Sequence, residues 1–250
     1  MDDAKPRTDQ SDHAYQEIRE GIAVGRYRPG ERLVEAEIAR LASVSRTPVR
    51  QALRWLERDG VVRIEKRCGA SVRTLTTEQI SDLYELRARL EAFACELAAR
   101  RAGESDRSEL VRLSDAFHAA ARDHADDDFA AVRSSNAALH HKVSEISGNP
   151  FLVIALEATI DNPLVLRAYQ RFDREELGRS ALFHELIVRS ICAGDGERAG
   201  RLMTEHVLQA RDALVIALAP SLPGDDTCAC FRMRADPQSV CGLSSTPAPS

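Results

Sequence analysis

Apolar residues recur along this chain at helical spacing for most of its length, and one short stretch near the N-terminus follows a different rhythm. Tyr15, Ile18 and Ile22 predict a helix that ends near Gly25, ahead of the turn Tyr27-Arg28-Pro29-Gly30. Ile38, Leu41 and Ala42 mark a second helix over Glu35 to Leu41, and Ser43-Val44-Ser45 then interrupts the pattern. A third helix starts at Ser45, a good N-capping residue, with Pro48 in the first turn, where its missing N–H costs little. Val49, Ala52, Leu53 and Leu56 form its apolar stripe, leaving Arg46, Arg50, Gln51 and Arg54 on the outer face. Asp59-Gly60 ends this helix, and Val61 to Ile64 reads as a strand. Lys66-Arg67-Cys68-Gly69 then makes a basic turn before a return strand from Ala70 to Thr74. Two helices, a short turn, a third helix and a hairpin predict a winged helix-turn-helix over residues 13–75.

Thr76 with Gln79 three residues on fits a capping box, and from there to Ala219 every segment reads as helix. The predicted segments are Thr77–Ala102, Ser105–His124, Asp127–Ser147, Pro150–Gln170, Glu175–Gly194 and Glu197–Ala219. The expected fold is therefore mainly α: a winged helix-turn-helix followed by an all-α bundle over residues 76–219. That bundle has six helices, or seven if Pro163 breaks the fourth. Residues 1–12 are expected to be flexible, and residues 220–250, rich in Ser, Pro, Gly and Cys, to form a disordered tail.

Composition changes this picture little. At 250 residues and 44% hydrophobic, the chain can bury sizeable cores. No apolar run approaches the ~20 residues of a membrane span, and Met1 to Gln10 carry no signal-like segment, so a cytoplasmic protein with no membrane partner is expected. The six cysteines, Cys68, Cys95, Cys192, Cys228, Cys230 and Cys241, are scattered, and reduced thiols are expected. Cys228 and Cys230 form a C-x-C pair, but in a segment without an ordered scaffold to fix metal geometry.

Charge changes it more. The chain carries a formal net charge of -5, yet residues 13–75 hold 13 Lys/Arg against 8 Asp/Glu, which leaves -10 on the rest. A basic module joined to an acidic one suits binding to a phosphate backbone, since local charge sets the field there. Arg46 and Arg50, one helical turn apart, match the guanidinium geometry that pairs with guanine edges or phosphate oxygens in a major groove. Thr47 can add a methyl or hydroxyl contact, and Lys66, Arg67 and Gly69 of the turn are candidates for phosphate or minor-groove contacts. The competing reading of such a face, a solvated cationic surface, is outweighed by the turn, the cap, the wing and the charge asymmetry together.

These residues carry a family resemblance. The run Val44 to Leu53, followed by Leu56 and Asp59-Gly60-Val61-Val62, resembles the signature of GntR-family regulators. The resemblance implies that Arg46 and Arg50 contact DNA and that Gly69 enters the minor groove. Some members carry a further DNA-contacting arginine where this chain has Ala36, and Arg40 is a candidate substitute. The helical half resembles the FCD subgroup, named for the FadR C-terminal domain. Its matching residues are Leu83 to Arg87 with Glu91, Asn136 to His140, Ser147 to Pro150, His184 to Ile187, and Ala193 to Asp195 leading to His206. Together the resemblances span residues 13–217.

Periodicity selects the same histidines from the seven present. His140 shares a face with Leu139, Val143 and Ile146, His184 with Ile187 and Ile191, and His206 with Leu202, Met203 and Ala210. Three inward imidazoles cost desolvation energy unless paired or coordinated, and they suit a divalent cation, zinc or nickel first. Asn136, one turn before His140, can offer its carbonyl oxygen; many subgroup members have Asp there. The plain alternative for each histidine is a hydrogen-bonded core residue. A cation so held keeps open positions that a small carboxylate can fill, with Arg87 at its far end, unless Arg87 pairs within its helix to Glu91. Tyr84 either lines that pocket or packs as a core aromatic.

The expected protein is a homodimeric regulator, more often a repressor, that binds double-stranded operator DNA and answers to a small organic acid. A metal-dependent enzyme fused to a DNA-binding module is the first rival. It lacks an H-E-x-x-H motif, and Glu185 is expected to face away from His184, so catalysis is not expected. A helical interaction module without a ligand is the second.

Overall fold

The computed structural model describes residues 9–65, 68–123, 129–160, 162–163 and 172–218. Lys66, Arg67, the helical segment expected after residue 163, and the tail from 220 with its three cysteines lie outside the described residues.

The N-terminal unit runs α1 (Asp9–Ala23), β1 (Arg32–Leu33), α2 (Glu35–Leu41), α3 (Arg46–Arg58), β2 (Val62–Glu65) and β3 (Gly69–Val72). The stripe read for the third helix is its buried face: Val49, Ala52 and Leu56 are inaccessible, and Leu53 nearly so. It packs on Ile18 and Ile22 of α1 and Ile38 of α2 in one apolar cluster. Tyr15 meets Trp55 edge-on at 6.2 Å and donates its hydroxyl hydrogen to Asp59 Oδ2 at 2.7 Å. The hairpin is part of a three-stranded antiparallel sheet of order β1-β3-β2, in which Ser71 faces both Arg32 and Arg63. Two-residue β1 is too short to show a period, so the sequence pattern alone passes over it. Ser45 stands at the N-cap with extended backbone, but its side chain makes no capping hydrogen bond, so only the position of that expectation holds.

The second unit comprises α4 (Thr77–Arg101), α5 (Glu104–Asp123), α6 (Ala130–Ile146), α7 (Pro150–Ile160), and two helices numbered here α8 (Arg174–Cys192) and α9 (Gly196–Leu218). The expected capping box is present: the Gln79 N–H donates to Thr76 Oγ1 and the Thr76 N–H to Gln79 Oε1, both at 3.2 Å. A second box, unforeseen from the spacing, joins Asp173 and Glu176 and starts α8 at Arg174. Long α9 lies against α4 so closely that a Cβ on Gly196 would stand 3.0 Å from the Glu96 carbonyl oxygen.

The buried apolar residues form two separate clusters, one within residues 14–72 and one within residues 80–214, which divides the chain at the Thr76 cap. Across that division Arg133 of α6 donates to Glu20 of α1 at 2.9 Å; Arg133 is buried and Glu20 exposed.

Candidate nucleic-acid interface and metal centre

Packing the stripe of α3 inward turns Arg46, Thr47, Arg50 and Arg54 to solvent, with Arg40 exposed at the end of α2. Arg50 is not idle there. Its Nε donates to both oxygens of Glu35, at 3.0 and 2.8 Å, which points the guanidinium along the N-terminal end of α2. The pair is well exposed, so water and salt screen it and a phosphate can compete for the same donor. Glu35 is a participant that sequence reading did not single out, because the contact joins residues fifteen apart on two helices. Gly69 opens β3 at φ +86, a left-handed conformation that a side chain resists, so the glycine is required by the wing turn. Ala36 is exposed on α2 and brings no charge to the face.

The second site lies inside the bundle. Helix α6 contributes Asn136 and His140, α8 His184 and α9 His206, and all four are at most 3% exposed. The Nε2 atoms of His184 and His206 are 3.1 Å apart, and those of His206 and His140 3.3 Å. Zinc–nitrogen bonds of ~2.0–2.1 Å at a tetrahedral angle set ligand nitrogens about 3.3 Å apart, so these separations fit one cation between the rings. Asn136 Oδ1 is buried with no hydrogen-bond partner among the described residues, as are Nδ1 of His184 and Nδ1 of His206. Buried polar atoms are normally satisfied, and an orphaned carbonyl oxygen one turn from His140 is the donor a fourth position needs. The donor set, three imidazoles and an amide oxygen, fits a divalent cation of the zinc or nickel type.

The electrostatics support the same chemistry. Burial, reinforced by the neighbouring imidazoles, pushes the His184 imidazole well below its ordinary range. The same causes push His206 down to about 3, so both rings are neutral and free to ligate. Phe117 meets His184 edge-on at 4.4 Å. His140 Nδ1 meets Glu91 Oε2 of α4 in a short contact, and Glu91 Oε1 accepts from Arg87 Nε at 3.0 Å and Nη2 at 2.9 Å. Burial alone would raise the Glu91 carboxyl, but the His140 imidazole and the Arg87 guanidinium facing it outweigh this and lower it to about 2. The intrahelical pairing of Arg87 with Glu91 is thus present. Tyr84, 1% exposed, lies beneath the Arg87 guanidinium, 5.0 Å from ring centroid to charge. Glu185 turns outward to Arg189 at 2.7 Å, away from the histidines.

The model for bacterial regulatory proteins of the gntR family matches residues 10–72, and the FCD domain model matches residues 82–209, half of the chain by itself. The chain belongs to the gntR family. Within it, the chain is 28% identical over 222 residues to the Uxu operon transcriptional regulator of Escherichia coli (strain K12), covering 79% of this chain and 84% of the relative. It is 38% identical over 95 residues to the gluconate operon transcriptional repressor of Bacillus licheniformis, covering 38% and 37% of the two chains. Over three other curated relatives the match spans about half of their length, 55%, 52% and 47%. The E. coli McbR/YncC structure is similar over 86% of this chain and all of its own, with a TM-score of 0.73 at 20% identity, a likeness of fold. For this member of the gntR family, the winged unit and the FCD unit coincide with the two apolar cores.

Proposed function

We propose that this gntR-family protein represses transcription by binding operator DNA as a homodimer, and that a small carboxylate bound at a metal-centred pocket in the FCD unit controls the binding. The observation that carries the DNA reading is the exposed face of α3, where Arg46, Thr47 and Arg50 stand clear of a buried stripe. Family membership supports it, as does the likeness to the gluconate operon transcriptional repressor of Bacillus licheniformis.

The metal reading rests on the converging Nε2 atoms and the orphaned Asn136 oxygen. Asn136, His140, His184 and His206 would hold the cation, and its Lewis acidity would attract an anionic oxygen ligand. Because the His184 and His206 rings are held neutral and an amide oxygen carries no charge, three of the four donors leave the cation's charge unspent for a carboxylate. Arg87 and Tyr84 lie one and two turns before Glu91 on α4 and are the proposed walls toward the carboxylate. Dimer formation is supported by α7, whose only charged residue is Glu157 and which leaves Phe151 82% and Ile154 65% exposed. Such a helix is at home only when both faces are covered.

The test is direct. Duplexes selected from genomic DNA by the purified full chain are titrated by fluorescence anisotropy, and the protein's metal content is measured by mass spectrometry. A screen of organic and sugar acids then reads both thermal shift and release of DNA. Selection of one recurrent duplex, near-stoichiometric metal, and release by at least one acid is the expected result. Binding that ignores sequence overturns the operator reading, and protein devoid of metal after growth with zinc and nickel overturns the pocket.

A further inference from the structure

We propose that Glu91 is the positioning residue of the histidine centre: it holds His140 in the tautomer that turns a bare Nε2 toward the cation, with Arg87 as its charge partner. The inference rests on the metal reading above and adds to it residues that touch no ligand themselves.

A neutral imidazole carries one N–H, and a ring nitrogen ligates only without its proton. A carboxylate can only accept, so a carboxylate at Nδ1 requires the proton there and leaves Nε2 with its lone pair. His140 has this arrangement, with Nδ1 against Glu91 Oε2 and Nε2 at 3.3 Å from His206 Nε2. The two other histidines do not: Nδ1 of each has no partner among the described residues. The centre is therefore asymmetric, one ligand oriented by the protein before any cation arrives and two oriented by the cation itself.

Burial explains why Arg87 belongs to the same unit. Glu91 is 2% exposed, and a carboxylate so placed is retained only when its charge is met. Oε1 is met by Arg87 and Oε2 by His140, so each oxygen has its own partner. An ordinary intrahelical Arg–Glu pair sits in water and contributes little; this one is 6% and 3% exposed, where desolvation is a large cost that the pair must offset. Its third member is what the burial serves. Carboxylate–histidine–metal chains of this kind raise ligand basicity and fix ring orientation, and losing the carboxylate costs about 10–100-fold in metal affinity.

Two measurements on the full chain test this. In metal-free protein, long-range proton–nitrogen NMR of the imidazoles is expected to find His140 in the Nδ1–H form and a mixture of forms at His184 and His206. In Glu91→Gln, and in the double variant Arg87→Met with Glu91→Gln, which removes both buried charges together, His140 is expected to lose its preference. Zinc affinity by chelator competition is expected to fall about 10–100-fold, with helical circular dichroism unchanged. A mixed tautomer at His140 in the parent, or parental zinc affinity in folded variants, overturns the inference. Parent protein that takes up no zinc overturns the metal reading instead, and the tautomer measurement still decides whether Glu91 orients His140.

Discussion

Arg50 combines exposure with a partner that leaves it available. Its side chain is 63% exposed and shares its Nε–H with Glu35. Arg50→Ala is expected to weaken binding of the selected duplex by about 1–3 kcal/mol and to lower the salt slope by about one, with an unchanged fold. Anisotropy titrations across a salt series measure both, and unchanged affinity would remove α3 from the interface. His206 is the opposite case, buried and within reach of two other histidines. His206→Ala is expected to abolish stoichiometric zinc and to bring the melting temperature with zinc down to the metal-free value, since a cation stabilises only the state that binds it. Equal metal content in variant and parent counts against the site.

The same histidine predicts a pH dependence of the metal-free protein. The unfolded chain takes up a proton at His206 near 6.5, whereas the folded protein holds the ring neutral down to about 3. The unfolded state therefore binds more protons in that window, and stability falls as pH drops through it. Glu91, lowered from 4.5 to about 2, contributes stability that is present above 4.5 and lost as pH falls toward 2. Urea midpoints are expected to decline from about pH 7 to pH 4, less steeply in His206→Ala. A midpoint flat over that range contradicts the buried, neutral ring.

Among the helices, those with a strong local rule are the ones whose pattern could be read directly. The stripe of α3 and the Thr76–Gln79 box are both set within a few residues, and both are found where the spacing places them. Thr76→Ala is expected to cost about 1 kcal/mol in urea unfolding, with Thr76→Ser close to the parent, because the serine hydroxyl accepts the same Gln79 N–H. Helix α7 is apolar at nearly every position, with Glu157 its only charge, so its periodicity says little about which side is covered; Phe151 and Ile154 stand out only once the fold is known. Phe151→Glu is expected to shift the protein from dimer to monomer in analytical ultracentrifugation, and a monomeric parent would sink that assignment.

The two apolar cores meet at the Thr76 cap, and the Arg133–Glu20 pair crosses from one unit to the other. Helix α6 carries Arg133, Asn136 and His140 on one buried face, so the residue that reaches Glu20 of the winged unit is continuous with two proposed ligands. Glu20→Gln is expected to quicken tryptic cleavage after Arg73, at the exposed junction, several-fold, with the melting temperature nearly unchanged. Cleavage at the parental rate would mean that the pair does not hold the units together.

What the amino-acid order determined unaided is what depends on neighbours within a turn or two: the helix stripes, the Thr76 cap, the outward arginines of α3, and the inward direction of three histidines. Helical geometry repeats every 3.6 residues, so direction is a local property. Tertiary structure alone decided which inward groups meet. That His206 stands within hydrogen-bonding distance of both His140 and His184, that Glu91 reaches His140 across 49 positions, that Glu35 takes Arg50, and that β1 completes the sheet are facts of long-range packing. Two helices can cross at several angles with the same stripes buried, and only the full core selects the one that brings those side chains together.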